Sequence, residues 1–144
     1  MTKIRPFQLT DFEEVVSMYH SFLVEIYPNR RIGTKYFFYK AVEKWVNNKA
    51  DIVVSIVDGN ISGFSMCYED MFGGLTEPIY QCDICYVKDE FRKGRSAYML
   101  YNNGFHFARD KGLTLSVGAR VENGVHKLVA NHFDLTETFK TYEG

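Results

Sequence analysis

Cysteine and proline are both scarce, at three residues each in a chain of 144. The cysteines, Cys67, Cys82 and Cys85, are odd in number, and Met1-Thr2-Lys3-Ile4-Arg5-Pro6 leads straight into a strand-like stretch with no secretory leader. A disulfide framework is therefore not expected, and a cytoplasmic location is. Cys82-x-x-Cys85 has the spacing of a redox or zinc pair, but it lies inside a strand-like run and has no second Cys or His pair at finger spacing. On a regular strand its two side chains point to opposite faces, so no metal site is expected. No apolar run approaches the roughly 18 residues that a membrane-spanning helix needs. Charge of one sign is lacking too: 17 Lys and Arg stand against 18 Asp and Glu, a net charge of −1. That balance does not support a broad nucleic-acid footprint.

Apolar residues make up 46% and charged residues 24%, which describes a globular chain long enough for one domain, 1–144, with a real core. Lys3 to Phe7 reads as a short edge strand containing Pro6. Thr10-Asp11-Phe12-Glu13 has the form of a capping box, and Phe12, Val15, Val16, Tyr19, Phe22, Leu23 and Ile26 recur at helical steps until Pro28. Thr34 is placed to cap a second helix carrying Phe37, Phe38, Ala41, Val42 and Trp45. The β-branched run Ile52–Val57 and the stretch Ile61–Tyr68 flank Asp58-Gly59-Asn60, which predicts a hairpin. Gly63 within the second strand marks a bulge or a close approach. Glu69 to Pro78, with Gly73-Gly74, reads either as a rim over a site or as a plain surface loop. A central strand is expected over Ile79–Val87, a helix over Ser96–Asp110 and a strand over Leu113–Val121. A short helix to about Asn131 and a last strand over His132–Tyr142 follow. The order β-α-α-β-β-β-α-β-α-β is that of a mixed α/β domain built on one sheet.

The basic residues cluster at Arg30-Arg31 and, more tellingly, within Val87-Lys88-Asp89-Glu90-Phe91-Arg92-Lys93-Gly94-Arg95-Ser96-Ala97. A strand, a basic turn with a glycine free to take positive φ, and a helix beginning at Ser96 together place successive free amides and a helix N-terminus at a strand end. That arrangement suits a phosphate-bearing ligand. Asp83 is an acid in a strand otherwise suited to burial, where Gln81, Asp83, Cys85 and Val87 share one face if the strand is regular. It reads equally as a base with a raised pKa or as an acceptor of neighbouring hydrogen bonds, and Glu69 and Asp70 are alternative acids.

The stretch from Val87 to Leu100 resembles the V-x-P-E-Y-R-G-G-R-A-G-x-x-L pattern of the GCN5-related N-acetyltransferases (GNATs). Val87, Glu90, Arg92, Gly94, Arg95 and Leu100 match without a gap, while Asp89, Phe91, Lys93, Ser96 and Ala97 depart from it. The opening Ile4-Arg5-Pro6 with Thr10-Asp11 also resembles the usual GNAT start. The compact size and the Arg92–Ala97 variant resemble GNAT-like proteins encoded by phages. The resemblance implies a mostly antiparallel sheet flanked by helices, and an acetyl group passing from acetyl-CoA to an amine on a small molecule or protein. It places the pyrophosphate on Arg92, Lys93, Gly94, Arg95, Ser96 and Ala97. The pantetheine arm would lie along Cys85, Tyr86 and Val87, with Asn123 touching it. The sheet edges of such folds pair across homodimers, so the resemblance admits one.

Direct attack needs a neutral amine, and Asp83 is the candidate base. The family's later tyrosine, the donor to the leaving thiolate, has no counterpart. Leu128 or Ala130 stands at its position, according to the direction of counting, and His132 stands where a Gly precedes Phe133. His126 is the nearest substitute acid, with Tyr142 a second. The rival reading is a GNAT-fold binding or structural module that has lost catalysis.

Overall fold

A computed structural model describes residues 1–29, 33–71 and 77–117. Its elements are β1 (Thr2–Pro6), α1 (Phe12–Ile26), α2 (Thr34–Val46), β2 (Asp51–Val57), β3 (Asn60–Asp70), β4 (Ile79–Val87), α3 (Ser96–Asp110) and β5 (Leu115–Val117). Single 3-10 turns at Leu9–Asp11 and Asp89–Phe91 lead toward α1 and α3. The helix and strand expected after Asn123 lie outside the described residues, as do Arg30, Arg31, Gly73 and Gly74.

The strands lie in the order β1-β2-β3-β4-β5. The first three pairings are antiparallel and β4–β5 is parallel. Connection length explains the difference: β2 and β3 are joined by a tight turn, whereas a parallel pair needs a crossover, which α3 supplies. Asp58 and Gly59 both take positive φ (50° and 83°), the twist that a two-residue hairpin turn requires. Helices α1 and α2 cover one face of the sheet over Phe7, Val15, Phe38, Val54, Phe64 and Ile84. Helix α3 covers the other, over Val53, Val87, Leu100, Tyr80, Cys82 and Tyr101. The molecule is a mixed, mostly antiparallel α/β domain in three layers.

Both helix starts differ from the expected ones. The Thr10/Glu13 capping box does not form. Asp11 instead closes the turn, accepting from the Gln8 amide at 2.9 Å and from both terminal nitrogens of Arg5 at 2.7 and 2.8 Å. A charged bidentate partner outcompetes a hydroxyl cap. Thr34 is the first helical residue rather than the cap, which is Gly33, and its hydroxyl is held by His20 Nδ1 at 2.7 Å.

The Arg5 hydrogen bond holds the Asp11 carboxyl below its ordinary pKa, with burial opposing and the Gln8 amide assisting. This contribution to stability is full above the unfolded value of 3.8 and is lost as pH falls through the lower folded value. Asp11→Ala is expected to lower stability by about 2 kcal/mol at pH 7. Urea unfolding measures this, and the deficit should shrink in acid.

Two bulges shape the sheet. In β3 the extra residue is Ser62, because Ser55 pairs with Gly63 and Ile56 with Ile61. In β4 it is Asp83, because Cys67 pairs with Cys82 and Met66 with Ile84. The second bulge overturns the regular alternation expected for this strand. Tyr80 and Cys82 face α3, Ile84 and Tyr86 face α1 and α2, and Cys85 and Val87 return to the α3 face. Cys82 and Cys85 therefore share a face instead of opposing each other, and Asp83 does not share one with Cys85 and Val87.

Candidate active site

The turn after β4 is built by short backbone bonds. The Phe91 amide donates to the Lys88 carbonyl at 2.9 Å, Arg92 to Asp89 at 3.3 Å and Gly94 to Phe91 at 3.1 Å. Gly94 keeps an ordinary backbone conformation, so the positive φ foreseen for it is not used. Helix α3 then starts from Arg95, and no side chain among the described residues is seen to cap its first amides. Those N–H groups, with the positive end of the helix dipole, directly follow the exposed Lys93 and Arg95 in the chain. The Arg95 guanidinium lies 5.5 Å from the centre of the Tyr98 ring. Ser96 is fully buried and Ala97 is half-buried, so from these two residues a ligand would meet backbone amides rather than side chains.

Arg92 is committed elsewhere. Its Nε donates to the Val87 carbonyl at 2.8 Å, one terminal nitrogen to Glu25 at 2.9 Å, and the other sits 2.8 Å from Asp89. Its plane also lies 5.3 Å from the centre of the Tyr86 ring. The residue ties the turn to α1 and occupies the last carbonyl of the strand edge along which the pantetheine arm was placed. Arg92→Ala is expected to lower stability by about 1 kcal/mol through the lost Nε bond, since the exposed ion pairs add little. Lys93→Ala with Arg95→Ala is expected to leave the unfolding temperature nearly unchanged while weakening any anion bound at the turn. Thermal unfolding with and without ligand separates the two outcomes.

Asp83 is displayed by its bulge on the α1–α2 face. Gln81 alternates with Tyr80 and Cys82, so it shares that face, and it pairs in register with Tyr68. Its side-chain carbonyl is buried without a hydrogen-bond partner among the described residues, leaving it ready to accept from an N–H donor. Asp83 itself is exposed. Even so, the surrounding protein displaces enough water to raise its pKa above the ordinary carboxylate value, with Lys44 opposing and Asp70 adding to the rise. Burial, then the charge of Asp83, raises the Tyr19 phenol, and Tyr68 is raised by burial, then Asp83 and Asp70. The Lys44 ammonium lies 4.7 Å from the centre of the Tyr68 ring. The outcome is a carboxylate that takes up a proton more readily than usual, beside aromatic walls and an unfilled acceptor.

The three thiols are free and cluster under α3. A hydrogen bond with Cys82, then burial, pushes the Cys67 thiol far up, and burial does the same to Cys85. A thiol kept protonated is a poor nucleophile, so Cys67 and Cys85 are not suited to carry an acyl group. A concavity of about 520 Å³ between α1 and the start of α2, lined by Val16, Ser17, His20 and Gly33 to Tyr36, includes none of the expected site residues.

No protein-family model and no curated protein matches the sequence. Similarity appears among solved structures. A predicted acetyltransferase from Clostridium acetobutylicum, solved with acetyl-CoA, superposes with a TM-score of 0.76 at 14% identity, over 99% of this chain and 96% of that one. The ribosomal-protein-alanine N-acetyltransferase from Brucella melitensis gives 0.71 at 20% identity over 100% of both chains. AAC(6')-Iy, in complex with the bisubstrate analog CoA-S-monomethyl-acetylneamine, gives 0.72 at 19% identity over 100% and 98%. The chain has the GNAT fold.

Within this GNAT fold, the turn Lys88–Arg95 and the start of α3 stand at the end of β4, and Asp83 stands partway along it. Pairing of β4 with β5 covers Tyr80 to Cys82, and β4 runs on to Val87. The second wall foreseen over Leu113–Val121 is described only through Val117. Cys85 faces α3 and is half-buried, whereas Tyr86 is buried on the opposite face under Arg92. Asn123 and His126 lie outside the described residues, as do Leu128, Ala130, His132, Phe133 and Tyr142. Sequence reasoning placed Gln81 on one face with Asp83 but missed Tyr19, Tyr68 and Lys44 as its neighbours, because three other elements, α1, β3 and α2, bring them to it. Only the pairing of Gln81 with Tyr68 was within reach of a strand-register argument.

Proposed function

We propose that this chain is an N-acetyltransferase that moves an acetyl group from acetyl-CoA to an amine by direct attack. The observation that carries this reading is the uncapped start of α3 beside exposed Lys93 and Arg95, at the end of the bulged central strand. Diphosphate oxygens are the ligand such amides and cations fit. The CoA-bearing neighbours of the same fold support the choice of that ligand. Lys93, Gly94, Arg95, Ser96 and Ala97 hold the pyrophosphate, Cys85 to Val87 and Asn123 flank the pantetheine arm, and Arg92 braces the turn from behind.

The acceptor enters from the α1–α2 face, where an ammonium meets Asp83, the carbonyl of Gln81 and the ring of Tyr68. Asp83 takes the ammonium proton, directly or through a water. The amine nitrogen then attacks the thioester carbonyl, a C–N bond forms and the C–S bond breaks. The CoA thiolate leaves and takes a proton from solvent or from His126. Its modest basicity makes the missing tyrosine tolerable. With the Cys67 and Cys85 thiols kept protonated and Cys82 buried beside them, an acyl-enzyme intermediate is disfavoured and direct attack is the simpler path.

The second reading, a GNAT-fold module that binds CoA without turnover, is favoured by Leu128, Ala130 and His132 at the family's tyrosine and glycine positions. A panel of amines, from alkylamines to amino sugars and peptide N-termini, assayed for thiol release from acetyl-CoA, separates the two. Amine-dependent release supports the enzyme. Tight binding of acetyl-CoA with no release across the panel supports the module.

A further inference from the structure

The face of the sheet under α3 contains a line of three hydroxyls that the chemistry above does not use. Ser55 Oγ lies 2.7 Å from Ser62 Oγ, and Ser62 Oγ lies 2.7 Å from Ser96 Oγ. All three side chains are among the most deeply buried in the described chain, each less than 2% exposed. They come from β2, from the extra residue of the β3 bulge and from the first residue of α3. The backbone of the middle serine is pinned as well, since its carbonyl accepts from the Lys88 amide at 2.8 Å at the exit of β4.

Alanine would fill these positions with almost the same volume, so packing alone does not call for serine. A hydroxyl chain adds direction: it sets both the distance and the angle at which the start of α3 meets the sheet. Three hydroxyls carry three protons, and the two internal bonds use two of them, so the middle hydroxyl is engaged on both sides. The bulge supplies the geometry. Without the extra residue at Ser62, the strand would continue its alternation and the hydroxyl would not stand between Ser55 and Ser96.

We propose that Ser55 and Ser62 are positioning residues for the pyrophosphate site. They hold Ser96, and with it the first amides of α3, at the distance from Lys93 and Arg95 that a diphosphate requires. This inference rests on the acetyl-CoA reading above. The two serines touch no ligand. They act through Ser96, and they bear on the nucleotide half of the ligand alone, because the pantetheine half lies along β4.

The test is calorimetric binding of CoA and of pantetheine, which lacks the pyrophosphate, to the full chain and to two variants. Ser62→Ala breaks both bonds. Ser55→Ala combined with Ser62→Ala leaves only one hydroxyl without a partner, and so keeps a folded protein available if the single change does not. Both variants are expected to bind CoA roughly tenfold more weakly, the loss of about one hydrogen bond to a charged group. Their affinity for pantetheine should stay at the parent value. Unchanged CoA affinity overturns the proposal. An equal loss for CoA and pantetheine also overturns it, because that marks a general loosening of the fold. If the parent chain binds pantetheine but gains nothing from the nucleotide half, the pyrophosphate site itself is wrong and the positioning role falls with it.

Discussion

Gly63→Ala is expected to lose about 3 kcal/mol of stability, a large part of what a domain of this size has to spare. The added methyl carbon would stand 2.4 Å from the carbonyl oxygen of Tyr86, 3.1 Å from the Cα of Val87 and 3.1 Å from the Ser55 hydroxyl. Two of these neighbours are backbone of β4, so no side chain can swing aside, and β3 and β4 must part where Gly63 pairs with Val87. The strain falls at the strand end that carries the turn and beside the buried serine line, so ligand affinity should decline along with stability. Urea unfolding of the variant against the parent measures it. A parent-like midpoint would contradict the close approach of the two strands.

Asp83→Asn is expected to lower the acetylation rate by about 10²- to 10⁴-fold, the usual share of a positioned general base. It should alter KM for acetyl-CoA little, because Asp83 sits on the α1–α2 face, away from the turn. The parent rate should rise with pH through a group whose pKa lies above the ordinary carboxylate value, and the variant should lose that limb. Stability should move the other way. Burial raises the pKa of Asp83, so the folded chain binds the proton more tightly than the unfolded chain does. Its contribution to stability therefore falls as pH climbs from the unfolded value of 3.8 through the folded one. Asparagine removes that penalty, so the variant should unfold at a slightly higher temperature at pH 7, with the gain vanishing well below 3.8. A variant that is slower yet more stable marks a carboxylate kept for chemistry. Unchanged turnover would transfer the base role to another acid.

Local patterns carried most of the fold. Helical spacing announced α1 and α3, Asp58-Gly59 announced the hairpin, and Gly63 announced its close approach, because each signal lies within a few residues of its effect. The bulge at Asp83 had no such signal. It arises from how β3 and β4 pair, and it takes Cys85 and Val87 off the face of that acid while leaving Gln81 on it. Arg92 was read as a ligand cation from its place in a basic turn, and its pairing with Glu25, 67 positions earlier, is a contact that the turn's local pattern does not carry. The Thr10 cap lost to Asp11 because Arg5, six positions away, adds a charged partner that a capping pattern does not count. The serine line joins Ser62 to Ser96 across 34 positions, and nothing in the spacing of three serines reveals it. In each case a contact between distant segments outweighed a local preference.

The account depends most on CoA binding at the start of α3, and thermal unfolding with and without acetyl-CoA tests it directly. At about a hundred times its dissociation constant the ligand should add roughly 2.7 kcal/mol, a rise of several degrees. The rise should shrink markedly when Lys93 and Arg95 are both alanine, and the unliganded variant should melt where the parent does. A parent chain whose unfolding temperature does not move with acetyl-CoA or CoA would contradict the account and leave the GNAT fold without its ligand.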